Sequence, residues 1–280
     1  MQDGKTPLAM QAGQDDAQDK SASARDESPG RGATKNAPIL NAAPVLIWLM
    51  GAFWVSFILF AVLPTQFVFR FDGLFALSAK GFLAGISTDG GDFGNYVPLI
   101  GHMFVHADLM HIGMNSLWFL AFGAPVASRL NNAGLAMPGI FQGQSVRKVR
   151  FSASVLFLAF FLLSGIGGAL LFIMFNADNP ALLVGASGGV SGLLGGLVRF
   201  MNRRGPMFVK QVRPLVPLFD PSVLVWSLFI VLSNIAVGVF GIGLGEAGAN
   251  IAWEAHIGGY FTGLITFSVF DRFARIGSPK

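Results

Sequence analysis

Six apolar segments constrain this chain more than any other feature. They lie at about 44–63, 109–127, 152–175, 187–201, 222–241 and 254–272. A run of ~20 apolar residues crosses a bilayer core of ~30 Å as a helix. In lipid every backbone N–H and C=O must find a partner within the protein, which leaves helices or closed barrels. Segments of this length predict helices. Only 12% of the 280 residues are charged and 53% are hydrophobic, against about 25% charged in a soluble domain. The chain reads as an all-α polytopic membrane protein. It has no cysteine, which excludes disulfides and thiolate metal sites.

Lys and Arg set the expected topology. Five stand in residues 1–41, four after the second segment, five around the loop after the fourth, and three at the C-terminal end. Of the nineteen, only Arg70 and Lys80 fall elsewhere, after the first segment. The positive-inside rule then gives six spans with both termini cytoplasmic. Residues 1–41 are polar with mixed charge, a composition that cannot bury enough apolar surface to order itself. They are expected to be a disordered cytoplasmic tail and do not resemble a signal peptide. Residues 42–274 form the membrane domain, and 275–280 a cytoplasmic C-terminal tail. The stretch Val126–Arg150 reads as a connecting loop longer than a helical hairpin needs. Arg147, Lys148 and Arg150 within it read as topology determinants that touch anionic lipid.

The fourth segment is short. Its 15 residues rise only ~22 Å as a helix, so it must begin below the membrane surface. Residues Asn176 to Ala186 would then enter the membrane as irregular backbone. Such backbone is tolerated only where it is buried in protein or lines a wet cavity. Ser187 stands at the floor of that expected cavity. Gly188, Gly192 and Gly196 recur every fourth residue behind it. On a helix they make a small-residue stripe that admits a close partner helix.

In this topology segments two, four and six all begin on the outer side. Segment two follows Asp108, a plausible N-cap, and carries His111 and Asn115. Segment four begins at Ser187, and segment six opens with Glu254 and His256. The four histidines of the chain, His102, His106, His111 and His256, all fall on that side. Ser187 and His256 fit a nucleophile and its general base. The alternatives are a serine bonded to its own backbone and a histidine bonded between helices. Gly259 and Gly263 in segment six match the stripe of segment four. His111 and Asn115, four residues apart, share a helix face. With the Ser187 N–H at a helix N-terminus they fit an oxyanion site, or a pair of interhelical hydrogen bonds. The histidine spacings do not form a helical zinc pair, so no metal is expected. Gly185 to Gly189 also matches the GxSxG elbow of soluble hydrolases, but that elbow needs a strand and a soluble sheet around it.

These residues resemble the rhomboid family of intramembrane serine proteases. Gly185-Ala186-Ser187-Gly188 resembles its GxSG, Ala255-His256-Ile257-Gly258-Gly259 its AHxGG, and His111 with Asn115 its HxxxN. The resemblance covers roughly residues 44–272. It implies a six-transmembrane-helix bundle with a short fourth helix. It implies a Ser187–His256 dyad without a third acid, and an oxyanion site from His111, Asn115 and the Ser187 backbone. The implied reaction is cleavage of transmembrane protein substrates near the outer ends of their spans, without a cofactor or metal. The implied partners are those substrates and the lipid bilayer, not nucleic acid, and the expected place is a bacterial inner (plasma) membrane. The fifth helix and the loop Gly241–Gly248 are the expected gates. Two positions depart from the family pattern. Val97-Pro98 stands where many members have Trp-Arg, and Ser191 stands where many have an aromatic ring stacked on the histidine. A catalytically silent rhomboid-like binding protein and a transporter with a midplane site are the alternatives. The transporter predicts paired repeats, and LLVGASGG has no counterpart in the other half.

Overall fold

The computed structural model describes residues 43–63, 74–89, 91–135, 146–201, 214–240 and 251–276. Residues 1–41 and the loop Gly241–Gly248 lie outside that set. Among the described residues six helices follow the six apolar segments: α1 Pro44–Val62, α2 Leu109–Leu135, α3 Val146–Phe175, α4 Ser187–Met201, α5 Pro221–Phe240 and α6 Trp253–Ile276. Among the described residues four stretches are long and apolar enough to cross a membrane: Pro44–Val62, Leu109–Asn131, Ala153–Phe175 and Pro221–Gly238. Helix α4 has 15 residues, and α6 interrupts its apolar run with polar and charged side chains. Both pack among the others rather than standing alone.

Local chemistry places the helix starts. Pro44 opens α1, where its missing N–H costs nothing and its fixed φ suits a helix. Asp108 caps α2 by accepting the His111 N–H at 2.7 Å. Between α1 and α2 lie Ala79–Asp89 and two single helical turns.

Helix α2 continues well past the apolar run that announced it. Val126, Ala127 and Leu130 are buried, and Arg129 donates to Asp271 of α6 through Nε at 2.7 Å and Nη2 at 3.1 Å. Part of the stretch assigned to a loop from Val126 to Arg150 is therefore helix at both ends. The inner face keeps its apolar period, and the one cation on it finds a buried partner.

Helix α4 sits at the centre. Gly188, Gly189, Val190, Gly192, Leu193, Gly195, Gly196 and Val198 are all buried, against α3 and α6 above all. The small-residue stripe meets its counterpart. A Cβ on Gly259 would run into the Gly188 carbonyl, one on Gly263 into the Gly192 carbonyl, and one on Gly195 into the Tyr260 carbonyl. Backbone touches backbone along this seam, the geometry small residues permit. Gly196 departs from the expected stripe and faces the Phe160 and Phe267 rings.

The backbone before α4 is irregular, as the short helix demands, and several of its polar groups find partners. Leu182–Leu183 pairs antiparallel with Leu77–Ser78, Leu77 opposite Leu183. The Gly185 N–H donates to the His102 carbonyl at 2.8 Å.

Candidate active site

Ser187 is the first residue of α4, and the turn before it depends on Gly185. Its φ is +107°, a region side chains avoid. A Cβ there would also stand 2.5 Å from His111 Nε2. Glycine at 185 thus supplies both the turn and the room for the imidazole. The first N–H groups of a helix have no partner within it, so the Ser187 end of α4 presents free donors and the positive end of the helix dipole.

His256 comes from the first turn of α6. Its Nε2 lies 2.8 Å from Ser187 Oγ, and its Nδ1 lies 2.8 Å from Asn234 Oδ1 on α5. The Asn234 amide is oriented by its other end, where Nδ2 donates to the Ile230 carbonyl at 2.9 Å. The remaining oxygen can only accept from His256. The proton on the imidazole therefore sits on Nδ1, and Nε2 is free to accept from the Ser187 hydroxyl.

His111 stands in the first turn of α2 with its Nε2 edge on Gly185, two residues before Ser187. Its Nδ1 accepts a long bond, 3.5 Å, from the Ala107 N–H, which puts the ring hydrogen on Nε2, facing the site. Asn115 is buried one turn further. Its Nδ2 donates to the His111 carbonyl at 2.9 Å, and its Oδ1 has no partner among the described residues. Asn115 makes no hydrogen bond to Ser187 or His256. The structure thus brings Ser187, His256 and His111 to one place, with Asn115 bonded to the His111 carbonyl one turn on.

His102 and His106 belong to the support. His102 donates from Nδ1 to the Pro98 carbonyl at 2.8 Å, so the segment where the family pattern departs is still tied down. Through its own carbonyl His102 holds Gly185. His106 packs edge-on against His111, centroids 5.3 Å apart, and tilted against Phe53 at 5.8 Å. Burial pushes the imidazole of His102 down to about 4. Burial, with the neighbouring His111 adding to it, does the same for His106. Both are neutral ring supports at physiological pH. Among the described residues no group of three or more His, Cys, Asp or Glu could hold a metal ion.

The sequence reading missed Asn234. Its signal is a lone carboxamide in the apolar run Leu228–Gly238 of α5, where an unbonded polar group is costly. It also missed the Arg129–Asp271 pair, because Arg129 was read as a loop cation.

The Rhomboid domain family model matches residues 94–272, which holds every residue of this site. A protein of Mus musculus, Rhomboid-related protein 2, is 30% identical over 178 residues, 62% of this chain and 49% of that protein. The chain spans about half the length of that relative.

Proposed function

The chain belongs to the rhomboid family, and from that premise we propose that it is an intramembrane serine endopeptidase. One observation carries the reading. Ser187 Oγ and His256 Nε2, 69 residues apart in sequence, lie 2.8 Å apart across a seam of glycines that leaves neither helix room to drift.

In this reading Ser187 Oγ attacks the scissile carbonyl carbon while its proton passes to His256 Nε2. The carbonyl oxygen becomes an oxyanion beside the Ser187 N–H and His111 Nε2–H, with Asn115 Nδ2 as a further donor. Collapse breaks the C–N bond, and the leaving amine takes the proton from His256. Water then attacks the resulting ester, His256 takes its proton, and the acid departs as Ser187 regains its hydrogen. Substrates are transmembrane segments of other proteins, cut near their outer ends. A helical carbonyl is already bonded, so the substrate must unwind locally, and helix-breaking residues near the cut favour it. All six helices span the membrane, with both termini and residues 1–41 on the cytoplasmic side. The charge distribution supports that orientation.

The test is labelling of purified protein by a fluorophosphonate, beside cleavage of a transmembrane substrate in detergent. The expected result is a label on wild type that is absent from Ser187→Ala, with cleavage lost in parallel. A folded wild type that takes no label and cuts nothing would make the chain a silent binding relative.

A further inference from the structure

The dyad reading leaves His256 oriented by Ser187 alone, yet the imidazole has a second partner from a different helix. We propose that Asn234, on α5, is a positioning residue for His256: its Oδ1 accepts the Nδ1 proton and keeps Nε2 unprotonated and aimed at Ser187. The catalytic meaning of this role rests on the endopeptidase reading, but the orientation itself does not.

Register supports the contact. Along α5, Ser227, Asn234 and Gly238 lie on one face, spaced seven and four apart, close to whole turns of helix. Along α6, Tyr260, His256 and Trp253 run the opposite way at four and three. The three meetings are made in order. Ser227 Oγ and Tyr260 Oη are 2.9 Å apart, Asn234 Oδ1 meets His256 Nδ1, and Gly238 lies against the Trp253 side chain. Asn234 thus falls opposite His256 because two helices cross in a fixed register.

The amide has one chemically consistent orientation. Reversed, its oxygen would face the Ile230 carbonyl and its NH₂ would face the histidine. As it stands, the group bonds at both ends. Among the described residues the imidazole makes no hydrogen bond besides those to Ser187 and Asn234. Among the described residues no aromatic ring packs on His256, and Ser191 occupies the position where a ring was expected. A hydrogen bond on the far side of the imidazole supplies the restraint that stacking does not. An acceptor behind the base is the arrangement that selects the productive tautomer in serine hydrolases. Here a neutral carboxamide fills the place of an acid.

The experiment compares Asn234→Ala, Asn234→Leu and Asn234→Asp in the full chain in detergent. It measures kcat, KM, the rate of fluorophosphonate labelling, thermal stability and the ¹⁵N imidazole shifts of His256. Losing one neutral hydrogen bond that orients the base should cut kcat and labelling by about tenfold. KM should stay within error. The ¹⁵N shifts should move from the Nδ1–H form to a mixture of tautomers in the alanine and leucine variants. Asp, which keeps the acceptor, should restore most of the rate. A folded Asn234→Ala with wild-type kcat and an unchanged tautomer overturns the proposal. So does recovery in Asn234→Leu, which keeps the volume and removes the acceptor. If the alanine variant does not fold, the leucine and aspartate variants decide alone, and equal activity in both overturns it. Wild type without label or cleavage would sink the endopeptidase reading instead, and the tautomer measurement would still test Asn234.

Discussion

The α4–α6 seam and the α5 flank hold the same histidine by opposite means. Along the seam, Gly188, Gly192, Gly195, Gly259 and Gly263 bring two backbones together, so position is set by the main chain. Along the flank, α5 reaches α6 through side chains: Ser227 to Tyr260 and Asn234 to His256. Only 11% of the apolar span of α5 is buried inside the protein, against 50% for α3. Backbone contact fixes distance, whereas side-chain contact fixes the direction of a proton. The site needs both, from different neighbours.

The largest effects should come from the seam's chemistry. Ser187→Ala and His256→Ala are each expected to remove cleavage by a factor on the order of 10⁶, and the double variant little more, because nucleophile and base act as a unit. Additive losses in the kinetics of the double variant would separate the two residues and break the comparison at its centre.

The seam's geometry comes next. In Gly259→Ala the new methyl meets the Gly188 carbonyl, which cannot rotate away, so overpacking should cost about 1–3 kcal/mol or more and activity with it. Gly188→Ala, where the nearest atom is the Ala255 carbonyl at 3.4 Å, should be close to neutral. Thermal unfolding in detergent would read the difference, and equal stability in the two variants would refute backbone contact as the source of precision.

Helix α2 extends the contrast. Asn115→Ala should lower kcat by ~10²–10³, or about 2.7–4 kcal/mol, with KM little changed, if Asn115 stabilises the oxyanion. Its present bond to the His111 carbonyl makes the measurement decisive. A loss of melting temperature alone, with kcat following only the folded fraction, would make Asn115 a brace for His111.

The smallest effect belongs to the flank. Tyr260→Phe removes one buried hydrogen bond to Ser227 and should cost about 1 kcal/mol, read as a modest drop in melting temperature with kcat retained. A large kcat loss would mean that α5 sets distance as well as direction.

What could be read beforehand followed the main chain, and what escaped lay in single side chains. Ser187 at the start of a short helix was legible because Gly185 and the short apolar run 187–201 are both sequence-local. The pairing of stripes was legible because glycine spacing repeats. Gly196 misled, since a period of four says which face a residue shares and not which neighbour that face meets. The length of α2 was hidden because Arg129 looks like a loop residue until Asp271, 142 positions away, is seen to receive the cation. Asn234 was hidden for the same reason. A polar residue in an apolar helix announces a partner, but only the crossing of two helices names it.

The Arg129–Asp271 pair has a consequence for how such a chain can change over generations. Both side chains are under 10% exposed, and Asp271 also takes a hydrogen bond from Arg275 at 2.7 Å. Stripping one partner from a buried pair strands a charge and costs about 3–5 kcal/mol, whereas replacing both with apolar groups of similar size is often harmless. The two positions are unequal in this respect: loss of Asp271 strands Arg129, whereas loss of Arg129 leaves Asp271 its bond from Arg275. In a family tree a change at 271 is therefore the one expected to bring a change at 129 with it.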